Sequence, residues 1–321
     1  MTTQARQPIR LGTRRSALAK AQSEWVAERL RRAGGLAVEL VEVTTEGDVN
    51  RAPLTTLGGT GVFVSALRDA LLAGTIDVAV HSLKDLPTQP ATGLRLAAVP
   101  VREDARDALV ARGATLATLE SGARVGTGSP RRAAQLRLAR PDLRVVDLRG
   151  NVGTRLGRVA DGDLEAVVLA VAGLKRLDRA DVIDEILDPA VMLPAPGQGA
   201  LAVEIRDLGL DAADSRSAAL ETALRSLDHA ATRAAVTAER AVLAALQAGC
   251  AAPVGALAVV DETGSGQPEL TLHAFLADGE GAAASRLSIT VPSDQAEAAG
   301  RQLATRLLDR IGADVLGERA T

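Results

Sequence analysis

The sequence predicts an α/β protein with two hinged lobes, followed by a small α+β domain with an antiparallel sheet. Three observations indicate this fold class. Short apolar runs alternate with helical patterns over the first two thirds of the chain, a strand–loop–helix unit occurs twice, and consecutive strands follow residue 227. With 321 residues and 47% hydrophobic content, the chain is long enough for two or three domains.

The first lobe begins with a predicted strand at Ile9–Gly12 and a helix from about Ala17 to the glycine pair at 34–35. Spacing places Leu18, Ala21, Trp25 and Leu30 on one face of that helix. The remaining elements are a strand at Val38–Thr44, a helix at Phe63–Leu72 and a buried strand at Ile76–Val80.

The second lobe repeats this alternation in a largely parallel sheet. Its predicted elements are a strand at Arg124–Gly126, a helix at Pro130–Ala139, a strand at Val145–Leu148, a helix at Val152–Ala160 and a strand at Ala166–Val171. The segment from Gly74 to Leu86 resembles the segment from Gly162 to Leu177, apart from three extra residues. Chance similarity is one explanation. A true repeat would place Asp85 and Arg176 at comparable strand ends.

The third domain is predicted to hold a helix at Thr237–Gln247, strands at Val254–Val260, Leu270–Leu276 and Leu287–Val291, and a last helix ending near Ile311. Two segments are expected to cross between the lobes, at Val99–Asp104 and at the Pro/Gly-rich residues 193–199. We therefore expect domain 1 at residues 1–102 and 199–227, domain 2 at 103–198 and domain 3 at 228–321, with a ligand cleft between the lobes.

Composition argues against several classes of function. A single cysteine excludes an intrachain disulfide, and three widely separated histidines show no metal-ligand spacing, so no metal is expected. A net charge of −3 and only three aromatic residues disfavour a nucleic-acid binder. No apolar run approaches the roughly 20 residues that cross a bilayer, and the first eight residues lack a signal peptide's apolar stretch, so a cytoplasmic location is expected.

Arginine recurs in three loops at predicted helix starts. These are the residues around Arg14, the run Thr127 to Arg132, and the run Arg149 to Arg155. Free backbone N–H groups at a helix start favour anions, and the guanidinium fork matches carboxylate geometry. Solvated loop charges are the alternative for any one of them. The threefold placement predicts a multi-anion site, although the sequence does not separate phosphate from carboxylate ligands.

Two single residues are candidates for chemistry. Asp85 follows a predicted buried strand, where it is either an ion-pair partner or a carboxylate that stabilises a transient cation. Cys250 follows a glycine helix stop, where it is either a small buried hydrophobe or an accessible point of covalent attachment.

Together these motifs resemble the porphobilinogen deaminase family, in family order over about residues 10–255. The segments that carry the resemblance are Thr13–Ala19 with Gln22, His81–Pro87, Gly126–Arg132, Leu148–Leu156, Ala170–Leu177, Pro196–Ala200 and Thr237–Arg240 through Cys250. The resemblance implies two lobes like those of periplasmic binding proteins. It also implies the condensation of four porphobilinogen molecules into hydroxymethylbilane with loss of ammonia.

The resemblance also implies roles for individual residues. A dipyrromethane cofactor would be held by a thioether to Cys250, and Asp85 would be the catalytic carboxylate, assisted by Lys84. Residues implied to bind cofactor and substrate are Arg14, Ser16, Phe63, Ser82, Thr127, Ser129, Arg131, Arg132, Arg149, Arg155, Arg176 and Gln198. Porphobilinogen and linear pyrrole intermediates would be the partners of a monomeric enzyme that contacts neither membrane nor nucleic acid.

The chain departs from the family at two places. Thr60 and Ser65 stand where the family commonly has lysines in its glycine-rich loop, so this lid is expected to contribute less charge. The family's glycine pair before the cysteine is here Ala248-Gly249. The rival hypothesis is a non-enzymatic solute-binding module, since two-lobe α/β proteins often bind anions without transforming them.

Overall fold

A computed structural model describes residues 7–44, 64–207, 215–247, 252–263, 266–278 and 283–312. The chain divides into two compact units, unit 1 with residues 1–102 and 200–233 and unit 2 with residues 103–199 and 234–321. Within the described ranges, no helix has the length and apolar character that crossing a membrane requires. The division into three domains stays a prediction.

Unit 1 is built on a five-stranded mixed sheet. Its elements are β1 (Ile9–Thr13), α1 (Ala17–Gly34), β2 (Val38–Glu42), α2 (Ser65–Leu72), β3 (Val78–Ser82), a 3-10 turn (Leu83–Asp85), β4 (Leu94–Ala98), β10 (Leu201–Arg206) and α6 (Ser215–Leu227). The strand order is β2-β1-β3-β10-β4. Strand β1 runs parallel to β2 and β3, whereas β10 is antiparallel to both of its neighbours.

Unit 2 contains a second sheet with the same plan. Its elements are β5 (Asp107–Val110), β6 (Arg124–Gly126), α3 (Pro130–Ala139), β7 (Arg144–Val146), α4 (Val152–Ala160), β8 (Ala166–Ala170), α5 (Val171–Arg176), a 3-10 turn (Ala180–Val182) and β9 (Glu185–Ile186). The order is β7-β6-β8-β5-β9, with β6 parallel to its neighbours and β5 antiparallel to its own. Both sheets are therefore mixed. A largely parallel sheet was expected, but in each sheet only three of the five strands, β2-β1-β3 and β7-β6-β8, are parallel to one another.

Equivalent ion pairs support the internal repeat. In unit 1 the backbone N–H of Arg10 donates to Asp77 Oδ2 at 2.9 Å, and its Nη2 donates to Oδ1 at 2.7 Å. In unit 2 Arg124 does the same with Glu165, at 2.6 Å from the backbone N–H and 2.8 Å from Nη2. In each case the arginine is the first or second residue of β1 or β6, and the carboxylate directly precedes the parallel neighbour, β3 or β8. This shared contact favours a true repeat over chance similarity.

A glycine in each of the equivalent strands β1 and β6 allows a close approach of the same kind. A Cβ on Gly12 would lie 2.3 Å from Ile76 Cδ1, and one on Gly126 would lie 2.6 Å from Leu164 Cδ1. Ile76 and Leu164 both precede the strand that pairs with the glycine. In both sheets an apolar side chain therefore packs against the backbone of this glycine, in space that a Cβ atom would occupy.

The last part of unit 2 is an antiparallel sheet with the order β11-β12-β13, formed by Val254–Asp261, Glu269–Ala277 and Ala284–Pro292. Helices α7 (Ala230–Ala245) and α8 (Ala296–Ile311), the latter after a 3-10 turn (Ser293–Gln295), share an apolar core with these strands. The predicted fold class of two α/β lobes plus a small α+β domain is confirmed.

Two local predictions are wrong. The helix predicted at Thr237–Gln247 begins seven residues earlier, because Ala230 to Val236 continue it without a breaker. The buried face of α1 is formed by Gln22, Ser23, Val26, Ala27 and Leu30, whereas Leu18, Ala21 and Trp25 are only half-buried. Gln22 is drawn inward by a hydrogen bond to Ser82, a partner that helical spacing does not reveal.

Candidate active site

Asp85 ends the 3-10 turn that directly follows β3 in unit 1. The preceding Leu83 is fully buried and donates its N–H to Ala200 O at 3.0 Å, which anchors the turn. Asp85 itself is exposed, and within the described ranges its carboxylate forms no ion pair. The ion-pair alternative therefore has no partner in that part of the chain, and the negative charge is accessible.

The side chains that precede Asp85 are held by buried neighbours. Ser82 Oγ accepts a hydrogen bond from Gln22 Nε2 at 2.9 Å, and Gln22 is only 4% exposed. Lys84 is half-buried beside Asp85. This strand end therefore presents a lysine and a carboxylate from a turn whose base is fixed by packing.

The loop from β1 to α1 presents Arg14 and Ser16 at a helix start. Ser16 is the N-cap residue, and its Oγ accepts the N–H of Ala19 at 3.3 Å. Arg14 is half-buried in the same loop. The structure thus gives Ser16 a capping role that is independent of any ligand.

The corresponding loop of unit 2 leads from β6 into α3. Thr127 is 4% exposed, and its Oγ1 accepts the N–H of Ser129 at 3.2 Å. Ser129 occupies the N-cap position as predicted, but its side chain makes no capping hydrogen bond. Its hydroxyl is therefore not used by the helix start.

Arg131 and Arg132 converge on Asp107, the first residue of β5, and all three side chains are buried. Arg132 donates from Nε and Nη2 to Asp107 Oδ1 at 3.1 and 2.7 Å, while Arg131 Nη1 lies 2.8 Å from Oδ2. Burial of Asp107 opposes its ionisation, but the two guanidinium groups outweigh burial and hold its pKa far below the ordinary range. Gln198, also buried, donates from Nε2 to Asp107 Oδ1 at 2.8 Å.

Arg149 and Arg155 flank the start of α4. Arg149 is half-exposed, and its Nε lies 3.3 Å from Asp147 Oδ2. Arg155 donates its Nε to Gly150 O at 2.9 Å. Burial lowers the pKa of Arg155, and repulsion from Arg132 and Arg149 lowers it further. Positive charge is therefore concentrated here beyond what Asp147 neutralises.

Arg176 ends α5 and donates from Nη2 to Gly199 O at 2.7 Å. Burial lowers the pKa of Arg176 to about 10, and the attraction of Glu103 opposes that shift only in part. The guanidinium remains charged at neutral pH. The strand ends that carry Asp85 and Arg176 are equivalent in the two sheets, as the repeat predicts.

The structure brings together in unit 2 the predicted residues Arg131, Arg132 and Gln198. Arg155 lies near enough to Arg132 for electrostatic repulsion between the two guanidinium groups. Sequence analysis missed Asp107 and also Glu239, whose buried carboxylate accepts the N–H of Gly197 at 2.6 Å. Aspartate at the head of the apolar run Ala108–Ala111 was the available signal for Asp107. Cys250, Phe63 and Thr60 lie outside the described residues, and Ser65 begins α2.

The donor set fits a ligand with several carboxylates. Arginine supplies planar pairs of N–H donors that match a carboxylate, and Arg131 Nε is buried without a hydrogen-bond acceptor in the described part of the chain. Across the described ranges no group of three or more histidine, cysteine or acidic residues has the arrangement of a metal site. The described arginines thus offer cationic donors for an anionic ligand.

Comparison with known proteins assigns both parts of the chain to one family. Residues 9–214 match the family model "Porphobilinogen deaminase, dipyromethane cofactor binding domain", and residues 233–309 match "Porphobilinogen deaminase, C-terminal domain". The porphobilinogen deaminase of Thermobifida fusca is 54% identical over 96% of this chain and 95% of its own. Porphobilinogen deaminase 1 of Streptomyces coelicolor is 52% identical over 97% and 98%.

Porphobilinogen deaminase of Leifsonia xyli is 57% identical over 84% of this chain and 80% of its own. Among solved structures, the methionine-binding protein MetQ covers 68% of this chain and 89% of its own, with 15% identity and a TM-score of 0.42.

Proposed function

Because the chain belongs to the porphobilinogen deaminase family, we propose that it condenses four porphobilinogen molecules into hydroxymethylbilane and releases ammonia. The observation that carries the proposal is the family match over both parts of the chain, with relatives more than 50% identical along nearly its full length. The concentration of arginine in unit 2 supports it, because each pyrrole brings two carboxylates.

The arginines are proposed to hold the acetate and propionate groups of cofactor and substrate. A unit-charge pair at about 4 Å in an effective dielectric near 20 is worth roughly 4 kcal/mol before desolvation. A growing pyrrole chain accumulates negative charge, so several such pairs are needed to retain it. The proposed binding residues are Arg14, Ser16, Ser82, Thr127, Ser129, Arg131, Arg132, Arg149, Arg155, Arg176 and Gln198, together with Phe63.

Asp85 is the proposed catalytic carboxylate, with Lys84 beside it. When the C–N bond of the substrate's aminomethyl group breaks, ammonia leaves and positive charge develops on the pyrrole. An exposed carboxylate that is not neutralised by an arginine of the described residues can stabilise that charge. The bound pyrrole chain, held by the arginines named above, would supply the carbon nucleophile that captures this cation.

Cys250 is the proposed attachment point of the dipyrromethane, through a thioether formed by its sulfur. The proposal rests on the sequence motif and on Cys250 being the single cysteine of the chain. When bound, the dipyrromethane supplies the nucleophilic ring to which the first substrate is joined. Cytoplasmic location, a monomeric state and the division into three domains belong to the same proposal.

Intact-mass spectrometry of the purified protein tests the proposal. We expect a covalent adduct with the mass of a dipyrromethane, absent from a Cys250→Ser variant. An unmodified wild-type chain that binds pyrroles without consuming them would instead support a solute-binding module.

Asp85→Asn tests the catalytic assignment against a matched control. Asp69→Asn, at an exposed aspartate of α2 in the same unit, removes one negative charge away from the proposed residues. We expect Asp85→Asn to keep the adduct and lose turnover by about 100-fold or more, since the stabilising charge is gone. Asp69→Asn should retain wild-type turnover. Equal rates for the two variants would remove Asp85 from its proposed role.

A further inference from the structure

Asp107 is a carboxylate buried among arginines at the head of β5. Its exposed fraction is 0%, and those of Arg131 and Arg132 are 3% and 5%. One acid and two bases leave this buried group with a net positive charge. A lone buried charge is unfavourable, so the carboxylate is what allows two adjacent guanidinium groups to be buried in the first turn of α3.

The two arginines use different edges of the guanidinium group. Arg132 commits its Nε/Nη2 edge to Asp107 Oδ1 and donates from Nη1 to Val168 O at 3.0 Å. Arg131 instead turns Nη1 inward, where it lies 2.8 Å from Asp107 Oδ2 and 2.5 Å from Leu193 O. Arg131 Nε is buried and has no hydrogen-bond acceptor in the described ranges.

Three arginines of the described ranges show how the Nε/Nη2 edge binds a carboxylate in two-point fashion. Arg10 binds Asp77 through it, Arg68 binds Glu204, and Arg124 binds Glu165. These two parallel N–H groups match the two oxygens of a carboxylate. In Arg131 the contacts to Leu193 O and Asp107 are made by Nη1. The Nε/Nη2 edge of Arg131 is therefore available to a carboxylate of a ligand.

Asp107 is itself held by a further buried hydrogen bond, from Gln198. Gln198 Nε2 donates to Asp107 Oδ1 at 2.8 Å and to Ala105 O at 2.7 Å. The preceding Gly197 N–H donates to the buried Glu239 at 2.6 Å. These hydrogen bonds fix the position of the Asp107 carboxylate. Because both arginines contact that carboxylate, its position determines where their guanidinium groups lie.

We propose that Asp107 is a positioning residue, which orients Arg131 so that its Nε/Nη2 edge receives one carboxylate of the pyrrole ligand. Arg132 acts through Asp107, because its own bidentate edge is committed to that aspartate. This inference rests on the proposed function, and it adds a residue that contacts no ligand. It predicts that changes at Asp107 alter cofactor loading and substrate affinity more than the rate of the chemical step.

The test compares Asp107→Asn, Asp107→Glu and the control Glu165→Gln in the full chain. Glu165→Gln removes a carboxylate from Arg124 in the same sheet of unit 2, away from Arg131. Intact mass gives the fraction carrying the dipyrromethane adduct, and steady-state assays with porphobilinogen give KM and kcat separately. Thermal unfolding of each variant reports whether the fold is kept.

For Asp107→Asn we expect a loss of cofactor loading or a rise in KM of about tenfold to 100-fold, the size of one charge-assisted hydrogen bond. Asp107→Glu keeps the charge but displaces it, so it should fall between Asp107→Asn and wild type. Glu165→Gln should load like wild type. If Asp107→Asn does not fold, the loading and KM of Asp107→Glu decide the question.

Wild-type loading and KM in Asp107→Asn would overturn the inference. So would wild-type values in Asp107→Glu, because the carboxylate's position would then be irrelevant. The wild-type protein is measured alongside. An unmodified, inactive wild type would refute the proposed function itself, whereas a loaded, active wild type with unaffected Asp107 variants would refute only the positioning role.

Discussion

Glu204 of β10 offers a quantitative test of the electrostatics of unit 1. Its side chain is 5% exposed and bound by Arg68, with Nε to Oε2 at 3.0 Å and Nη2 to Oε1 at 2.8 Å. His81 Nε2 lies 3.1 Å from Oε2. Burial opposes ionisation of Glu204, but His81 and Arg68 outweigh it and lower its pKa from 4.5 to about 2.

The pKa shift translates into stability that depends on pH. A carboxylate with a depressed pKa in the folded state stabilises that state above its unfolded pKa, and this stabilisation is lost as pH falls through the folded pKa. For Glu204 the window runs from 4.5 down to about 2. The shift corresponds to about 3 kcal/mol at pH 7, and about half of it should be gone near pH 3.

Glu204→Gln is the perturbation, because glutamine keeps the size of the side chain and one acceptor but removes the charge. Trp25 is the single tryptophan of the chain and packs against the core of unit 1, so its fluorescence follows the unfolding of that unit. Urea titrations at pH 7, 5, 4 and 3 give the free energy of unfolding of both proteins. Glu39→Gln, at an exposed site on β2, is the control, with an expected change under about 0.5 kcal/mol.

We expect the difference between wild type and Glu204→Gln to be about 3 kcal/mol at pH 7 and to shrink steadily below pH 4. A difference that stays constant over this range would mean that packing, not ionisation, carries the effect. A difference below about 1 kcal/mol at pH 7 would refute the strong coupling of Glu204 to its two partners.

Two further outcomes test the binding site and the packing. Arg149→Ala should fold normally, because its side chain is half-exposed, but should fail to accumulate holoenzyme by intact mass; wild-type loading would contradict its binding role. Gly300→Ala should lower the free energy of unfolding by about 1–3 kcal/mol, since the new Cβ would meet the Ala238 carbonyl oxygen at 2.3 Å. Gly157→Ala, at a half-buried helix position where the nearest atom is 3.9 Å away, should instead stabilise by about 0.5–1 kcal/mol in the same thermal or urea unfolding experiment. A destabilised Gly157→Ala would show that loss of helical glycine, not the clash, explains Gly300→Ala.

The sequence by itself determined the elements that depend on local chemistry. The helices Pro130–Ala139 and Val152–Ala160 have the predicted bounds, since proline at the first position of one and the Asn151 cap of the other act on the local backbone. The ordered motifs also determined the family, because each combines residue type with spacing. Family membership is confirmed by the matches over both parts of the chain.

The tertiary structure alone decided which charges are available. Arg131 and Arg149 are equivalent in a sequence, as basic residues near a helix start, yet one is buried against Asp107 and the other is half-exposed. Asp107 lies 24 residues before Arg131, and Glu204 lies 136 residues after Arg68, so no local pattern links them. Antiparallel strands β5 and β10 bring these carboxylates into their sheets, and burial then decides which arginines are neutralised.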